Sequence, residues 1–386
     1  MLPLGLVAAA AGLILYTVAG YPLLLALSRR RAPRVVKDLN HKAAVSVLIP
    51  VHNGAAFIRS KLDSVLGLDY PRELMEVLVL SDGSTDETDS IVQDFAAHGI
   101  RLLRVETRSG KTNALNLGLS RASGEILFFT DVRQHFKPDA LAHLVANFAD
   151  PTVGAVSGEL RLLSGESGEQ ADMNAYWRYE LWARNRHSQI DSVFNTTGSI
   201  YAMRRALAAP LPPDTIADDA FQPFRAFFAN YRVILDSQAI AYDYPAVPGT
   251  EFRRRLRTLA GLWQVYRRTP ELFSRRNRMR FHFLSHKFTR LLLPWAVLLL
   301  YGATPALPPG PLRAILLLGE GGIVLLAAMD PLTPRDSLLK RLSSPARTFL
   351  TMNAAAALAI LVFFVPPQQL WRPTRVRAVA ASREGR

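Results

Sequence analysis

The stretch "ILFFTDVRQHFKPDALAHL", residues 126–144, decides the fold class. It begins with an apolar run, as in a buried strand, and this run stops at Asp131. After a short loop, Pro138 precedes a segment in which apolar residues recur with helical spacing. A buried strand followed by a helix is the repeating unit of α/β proteins with parallel sheets. The stretch therefore predicts such a sheet, with Asp131 at the end of one strand.

Similar apolar runs alternate with helical periodicity across residues 44–243. The predicted strands are residues 44–50, 75–81, 100–106, 125–131, 153–160 and 231–236. We therefore expect an α/β domain with a mostly parallel sheet. Ligands of such sheets bind beyond the carboxyl ends of the strands, so a site should lie in the segments that follow them.

Polar residues follow the first four predicted strands. These segments read "PVHNG" (50–54), "SDGSTDET" (81–88), "RSGKTNALN" (108–116) and "TDVR" (130–133). Gly83 permits a tight turn, "STDET" can cap a helix, and Lys111 places a cation at a helix start, where a diphosphate would bind. Alone, each segment is compatible with an ordinary turn or a solvated lysine. Four of them at one sheet edge favour a ligand site.

Apolar segments lie on both sides of this domain. Residues 2–27 contain no charge and are long enough to cross about 30 Å of hydrocarbon, which predicts an N-terminal transmembrane helix over residues 1–28. A cleaved signal peptide is the competing interpretation, but no basic residue precedes the run. Segments 291–307, 314–329 and 349–365 predict two or three transmembrane or re-entrant helices within residues 291–366. A basic interfacial segment (266–290) precedes them and a basic tail (367–386) follows.

The basic residues predict an orientation. By the positive-inside rule, the clusters at residues 29–34 and 340–347 are cytoplasmic, which places residues 44–265 in the cytoplasm at the plasma membrane. The basic tail conflicts with a fourth crossing, so the last apolar segment is re-entrant or interfacial, or the rule is overridden. Attraction to anionic lipid explains the net charge of +14 and argues against a nucleic-acid partner. The absence of cysteine excludes disulfides and thiolate metal sites.

Six sequence blocks in order carry a family resemblance. They are "VSVLIPVHNG", "VLVLSDGSTDET", "SGKTNALNLGL", "ILFFTDVRQHFKPDAL", "TGSIYAMRR" and "DDAFQPFRAF". Over residues 44–265 the chain resembles the inverting family-2 glycosyltransferases, in their membrane-integral, cellulose- and hyaluronan-synthase-like branch. The resemblance implies the GT-A fold of nucleotide-diphospho-sugar transferases. It also implies transfer of a sugar from a nucleotide-sugar, UDP-linked, to a lipid-linked or polysaccharide acceptor at the lipid bilayer, in polysaccharide biosynthesis for the cell envelope.

The resemblance assigns donor-binding roles to residues at the strand ends. Val51 and Asn53 would line the nucleotide end, and Asp82 would bind the uracil or the ribose. Lys111 would approach the diphosphate. Asp131 corresponds to the first acid of the family's D-x-D motif, near the ribose and the metal.

Asp219, in "IADDAF", corresponds to the general base of the family. An inverting transfer needs a carboxylate that takes the proton of the acceptor hydroxyl. Asp218 is adjacent, and like charges in proximity raise the proton affinity of at least one partner. The alternative is that one of the two only caps the following helix, and we assign a capping or a supporting role to Asp218.

Arg257 is the second residue expected to act in catalysis. The family's Q-x-x-R-W motif corresponds here to Arg254, Arg257 and Thr258, so the arginine is kept while the glutamine and the tryptophan are lost. A cation here would meet the charge that develops on the leaving nucleoside diphosphate. The absent tryptophan puts processive synthesis in doubt. The alternative for residues 251–261 is a basic helix at the membrane surface.

Arg133 stands where the family has its second D-x-D acid, and an arginine cannot bind a metal. In one account, Mg²⁺ or Mn²⁺ is held by Asp131 and the donor diphosphate, with a weakened requirement. In the other, Arg133 itself reaches the diphosphate and partly replaces the metal. A third possibility is a catalytically inactive membrane sensor of nucleotide or polysaccharide with the same fold. The retained Asp82, Lys111 and Asp219 argue against it.

Overall fold

A computed structural model describes residues 1–29, 32–163, 168–244, 251–334 and 337–365, without the side chains of residues 168–176 and 251. The predicted basic tail and two residues of the first basic cluster, Arg30 and Arg31, lie outside the described residues. The chain divides into two compact units. Of the described residues, the sheet unit comprises 32–163 and 187–244. The apolar unit comprises 1–29, 168–186, 251–334 and 337–365.

The sheet unit contains the predicted α/β domain. Its strands are β1 (Val45–Val51), β2 (Met75–Asp82), β3 (Ile100–Val105), β4 (Ile126–Phe129), β5 (His135–Phe136), β6 (Val153–Leu162), β7 (Tyr201–Arg204) and β8 (Arg232–Asp243). The α-helices of the described residues are α1 (Leu2–Leu15), α2 (Tyr21–Leu27), α3 (Ala55–Leu66), α4 (Thr88–Asp94), α5 (Lys111–Arg121), α6 (Ala140–Ala146), α7 (Gly168–Ile190), α8 (Asp218–Phe228), α9 (Glu251–Arg268), α10 (Arg280–His282), α11 (Thr289–Ala303), α12 (Pro311–Met329) and α13 (Leu338–Leu358). Helices α3 to α6 and α8 belong to the sheet unit.

All eight strands form one sheet in the order β3-β2-β1-β4-β7-β6-β8-β5. The four strands β3, β2, β1 and β4 are parallel, whereas β7 is antiparallel to both of its neighbours, β4 and β6. Beyond β7, β6 and β8 are parallel and the short β5 is antiparallel to β8. The sheet that was predicted to be mostly parallel is therefore a mixed sheet with one parallel half.

The parallel half is the centre of the core. Every residue of β1 and of β4 is buried, as expected for parallel strands covered on both faces by helices. Helix α3 adds Ile58, Leu62 and Val65, which recur with helical spacing on its buried face. This packing fixes the strand ends, and the loops after them carry the site.

Two strands escaped prediction, and three others end two or more residues from their predicted ends, among them β6, which ends at Leu162 and not at 160. β5 and β7 are two and four residues long, too short to show a clear apolar period. β4 ends at Phe129, so that Asp131 lies in the loop after the strand. β8 continues to Asp243, seven residues beyond the predicted end at 236.

The apolar unit holds four helices that are long and apolar enough to cross a membrane. In the described residues they are Leu2–Leu27, Arg280–Ala306, Pro311–Leu332 and Leu338–Phe363. The second begins inside the segment predicted to be interfacial (266–290), and the fourth includes the segment whose crossing was in question. Leu318, Leu325 and many other large apolar side chains of the unit are exposed. Such exposed apolar surface is expected of helices that face lipid.

Polar groups within these helices have partners inside the unit. Glu320 of α12 is buried and accepts a hydrogen bond from Thr304 Oγ1 at 2.6 Å. Asp330, just after α12, is paired with Lys340 at 3.0 Å and Arg347 at 3.2 Å. Burial of a charged side chain is tolerated where a partner of this kind is present.

Candidate active site

The parallel half of the sheet brings the predicted donor-binding residues to one edge. β1 pairs with β2 on one side and with β4 on the other, so Val51 lies between the strand ends that lead to Asp82 and Asp131. Lys111 begins α5, which follows β3. The position of the site beyond the carboxyl ends of these strands agrees with the rule for open α/β sheets.

Asn53 and the loop after β2 are joined by hydrogen bonds in both directions. Asn53 adopts a positive φ of 49°, and its side-chain oxygen accepts a hydrogen bond from the backbone of Thr85 at 2.8 Å. Its own backbone N–H donates to Ser84 Oγ at 3.1 Å. The backbone of Thr88 is bonded to Asp86 Oδ1 at 3.1 Å, so Asp86 supports the start of α4. The N-cap position is Glu87, and its side chain makes no capping bond.

Asp82 is buried, at 3% exposure, and both of its carboxylate oxygens accept hydrogen bonds from the loop before α5. Oδ1 accepts from the backbone of Ser109 at 2.7 Å, and Oδ2 from the backbone of Gly110 at 2.8 Å. Gly83 has a φ of +61°, and a Cβ there would lie 2.5 Å from the backbone nitrogen of Arg108. Asp82 therefore anchors the loop that positions Lys111, a role that the sequence did not indicate.

Lys111 bridges two carboxylates. Its Nζ lies 2.9 Å from Asp131 Oδ1 and 3.1 Å from Asp218 Oδ1. Burial disfavours the ammonium, but the charges of Asp131 and Asp218 outweigh this and raise the pKa of Lys111. Burial likewise opposes the charged form of Asp131, while Lys111, Arg133 and Lys61 together lower its pKa. The two acids and the lysine form one ionic group at the sheet edge.

Asp219 is the second residue of α8, directly after Asp218. Burial and the neighbouring charge of Asp218 raise the pKa of Asp219 to about 7, although Lys111 opposes the rise. A Cβ on Gly198 would lie 3.2 Å from Asp219 Oδ2, so the backbone of this glycine lies close against the carboxylate. The predicted helix-capping role of Asp218 is wrong: the N-cap is Ala217, and no side-chain cap bond is present there.

Arg133 forms a two-pronged pair with Asp243, the last residue of β8. Its Nε donates to Asp243 Oδ1 at 2.9 Å and its Nη2 to Oδ2 at 2.8 Å. Gln134 Nε2 also donates to Asp243 Oδ2, at 2.9 Å. Burial opposes the charge of Arg133, but the hydrogen bond and charge of Asp243 raise its pKa. The guanidinium that replaces the second D-x-D acid is thus held by a carboxylate 110 residues further along the chain.

Three residues near the site were missed by the sequence analysis: Lys61, Tyr201 and Asp243. Tyr201 of β7 is stacked on Phe129 with ring centroids 4.5 Å apart, and its buried hydroxyl has no hydrogen-bond partner among the described residues. A sequence signal existed for Lys61 alone, because it interrupts the apolar stripe of α3. Tyr201 and Asp243 belong to strands whose existence or length was not predicted.

The residues present fit a divalent metal held mainly by the donor. Asp131 and Asp218 converge on the same ammonium, so their oxygens already favour a cation at this point. The described residues contain no group of three or more histidine, cysteine, aspartate or glutamate side chains that could hold a metal. Magnesium can be bound by one or two carboxylates together with substrate phosphates. Asp131, with the diphosphate, would hold such an ion.

Arg257 belongs to the apolar unit, on α9. In the same helix Thr258 Oγ1 donates to the carbonyl oxygen of Arg254 at 3.0 Å, so the threonine that replaces the motif's tryptophan is bonded within its own helix. The catalytic role of Arg257 stays a prediction.

Comparison with protein families identifies the central segment. Residues 46–210 match the family described as "Glycosyl transferase family 2". The match covers β1 to β7 and ends before Asp218 and Asp219. This segment is therefore similar to family 2 glycosyltransferases. Asp218 and Asp219 lie outside it, so the assignment of the base depends on the geometry of α8.

Two curated relatives are 25% identical to the chain. Poly-beta-1,6-N-acetyl-D-glucosamine synthase of Staphylococcus epidermidis matches over 228 residues, 57% of this chain and 55% of that protein. Probable glycosyltransferase YdaM of Bacillus subtilis matches over 287 residues, 70% of this chain and 68% of its own. The chain thus spans about half the length of the staphylococcal synthase. Both relatives are named as enzymes that build or transfer sugars.

A solved structure is similar over nearly the whole chain. The mannosyltransferase PcManGT of Pyrobaculum calidifontis, in complex with GDP-Man and Mn²⁺, superposes with a TM-score of 0.72 at 25% identity. The alignment covers 93% of this chain and 96% of that one. The fold of the sheet unit is therefore the GT-A fold, as predicted. The nucleotide-sugar and the manganese ion in that complex belong to the relative.

Proposed function

From the similarity of residues 46–210 to family 2 glycosyltransferases, we propose that the chain is an inverting glycosyltransferase. It moves a sugar from a nucleotide-sugar donor to a lipid-linked or polysaccharide acceptor at a membrane. The observation that carries the proposal is the acid–base group at the sheet edge. Asp219, with a pKa near 7, stands next to Asp218, which Lys111 bridges to Asp131. A carboxylate with this pKa is half-charged at neutral pH and suits a general base.

The donor lies across the carboxyl ends of β1, β2 and β4 in this proposal. Val51 and Asn53 line the nucleotide end, and Asp82 is beside the ribose while it anchors the loop before α5. The diphosphate attracts Lys111, whose ammonium is at a helix start. We expected a UDP-linked donor. The GDP-Man complex of the similar mannosyltransferase makes GDP-sugars the second class to test.

The transfer itself is a single displacement. The acceptor hydroxyl attacks the anomeric carbon on the face opposite the nucleotide, and Asp219 takes its proton as the new bond forms. The bond between the anomeric carbon and the diphosphate oxygen breaks, and the negative charge passes to the nucleoside diphosphate. Lys111 meets that charge. A bound Mg²⁺ or Mn²⁺ held by Asp131 would supply further positive charge to the diphosphate.

The paired Arg133 supports the account in which a metal is retained with a weakened requirement. Nε and Nη2 of the guanidinium already donate to Asp243, so reaching the diphosphate would require breaking a two-pronged charged pair. Arg257 remains the proposed second cation for the leaving group. The four apolar helices support attachment to a bilayer, and we propose the plasma membrane with the sheet unit in the cytoplasm.

The experiment is donor turnover by the full chain in lipid nanodiscs with lipid extract as acceptor. A panel of UDP- and GDP-sugars is supplied with Mg²⁺, Mn²⁺ or chelator, and release of the nucleoside diphosphate is measured. We expect one donor to turn over, with a rate that falls but does not vanish in chelator. Asp219→Asn should lose this turnover, whereas Asp94→Asn, an exposed acid paired with Arg59, should keep it.

Each other result has a definite meaning. Full rate in chelator would refute the retained metal and favour Arg133 as its replacement. Equal turnover by wild type and Asp219→Asn would refute the base. Nucleotide binding without product from any donor would refute the enzyme and favour the catalytically inactive sensor.

A further inference from the structure

Lys61 is a fully buried lysine on α3, with 0% of its surface exposed. It shares the buried face of that helix with Ile58, Leu62 and Val65, where an apolar residue is expected. Lysine is almost never fully buried unless its charge has partners. The transfer described above makes no use of it, so its burial requires another explanation.

The ammonium of Lys61 is satisfied in three directions. Its Nζ donates to Thr130 Oγ1 at 2.7 Å and to the carbonyl oxygen of Gln134 at 2.8 Å. It also lies 3.7 Å from the centroid of the Phe136 ring, within the range of a cation–π interaction. An ammonium has three donors and no acceptor, and this set of partners matches it.

The two hydrogen-bonded partners, Thr130 and Gln134, stand at the two ends of the loop that carries Asp131 and Arg133. Because Lys61 can only donate, the hydroxyl of Thr130 accepts from it and directs its own hydrogen to the carbonyl oxygen of Ser199, at 2.7 Å. Ser199 follows Gly198, whose backbone lies against the carboxylate of Asp219. One buried cation is thus connected to both sides of the site.

We propose that Lys61 is a positioning residue for the sugar transfer. It fixes residues 130–134 from the buried side and, through Thr130 and Ser199, holds the backbone beside Asp219. Burial lowers the pKa of Lys61, while the charges of Asp131 and Asp243 oppose this and favour the ammonium beneath the loop. Lys111 meets Asp131 from the exposed side of the same loop. This inference rests on the proposed function, since it assigns Lys61 to the same reaction.

The test is Lys61→Met, which keeps the length of the side chain and removes its donors. We expect kcat to fall about ten- to a hundredfold, because displacement of a reacting group by about 1 Å has effects of this size. The thermal midpoint should fall by several degrees, because the buried carbonyl oxygen of Gln134 loses its donor, so kcat is measured well below that midpoint. Arg59→Met, on the exposed side of the same helix, is the matched control and should leave kcat unchanged.

A second variant tests the route through Thr130. Thr130→Val removes the hydroxyl at constant shape and should lower kcat by part of the loss seen in Lys61→Met. In the double variant the two losses should not multiply, because Lys61 acts on Ser199 through this hydroxyl. Losses that multiply would overturn the proposed route, and an unchanged kcat in Lys61→Met would overturn the proposal.

Hydrogen–deuterium exchange supplies a readout that does not depend on turnover. Amides of residues 129–136 should exchange faster in Lys61→Met than in wild type, whereas those of β2 should not change. Absence of transfer by wild type with every donor would refute the proposed function. An active Lys61→Met with unchanged loop exchange would refute this inference alone.

Discussion

The two halves of the sheet contribute to the site in different ways. In the parallel half, β3-β2-β1-β4, each predicted donor-binding residue ends a strand, as Asp82 does, or lies in the segment after one, as Lys111 and Asp131 do. In the other half, β7-β6-β8-β5, Asp243 acts by contact with a distant loop, and Asp219 depends on the backbone of Gly198. We infer that the parallel half binds the donor and that the other half controls the chemistry. Substitutions in the two halves should therefore change different kinetic constants.

Asp219→Asn should have the largest effect. We expect kcat to fall about 10²- to 10⁴-fold, since the amide cannot accept the proton of the acceptor hydroxyl. Binding of the matching nucleoside diphosphate, measured by calorimetry, should stay within about threefold of wild type, because removal of a proton acceptor changes the chemical step and not uniform binding. If nucleotide binding fell in proportion to kcat, the inference that one half of the sheet binds the donor and the other controls the chemistry would be wrong.

Lys111→Met should weaken donor binding as well as the chemical step, in which Lys111 stabilises the charge of the leaving diphosphate. The donor KM should rise about ten- to a hundredfold, because a charge-assisted contact with the diphosphate is worth about 1.5–3 kcal/mol. Lys137→Met is the control, since Lys137 pairs with the partly exposed Asp139. A fall in kcat at unchanged KM would show that Lys111 acts in the chemical step and not in donor binding.

The pH profile should show the base directly. Asp219 is active as the carboxylate, so kcat/KM should fall about tenfold per pH unit below about pH 7, where it is protonated. Lys111 lowers the pKa of Asp219, so this limb of the profile should move to higher pH in Lys111→Met. A flat profile between pH 5.5 and 8.5 would contradict the assignment, provided that the chemical step limits the rate.

Arg133→Met should have the smallest effect on the reaction and a measurable one on stability. Removing the guanidinium leaves the buried Asp243 with Gln134 and the backbone of Tyr244, so unfolding should become easier by about 1–3 kcal/mol. This corresponds to a fall in Tm of several degrees for a domain of this size. Arg59→Met breaks an exposed pair with Asp94, the last residue of α4, and should shift Tm by less than one degree.

A donor KM that rises as much in Arg133→Met as in Lys111→Met would contradict this expectation. It would place Arg133 on the diphosphate. The two variants together therefore decide between the two accounts of how the charge of the donor is met.

The same division explains what the sequence could predict. Strands β1, β2 and β3 agree with their predictions to within one residue at each end because apolar runs and turn residues are local signals. The pairs between Arg133 and Asp243, and between Lys61 and Thr130, join residues 110 and 69 positions apart. No spacing rule reports such contacts. The clue to Lys61 was its place in an apolar stripe, where a surface lysine is unexpected.

Gly198 has a consequence for the interpretation of related sequences. A Cβ at this position would stand 3.2 Å from Asp219 Oδ2, closer than ordinary contact, so even alanine would push the carboxylate by a few tenths of an ångström. Related enzymes that use the aspartate at the position of Asp219 as a base should therefore also have glycine at the position of Gly198. A survey of related sequences can examine this pair of residues without any structure. A lineage in which the glycine is replaced first would be one in which selection for the general base has been lost.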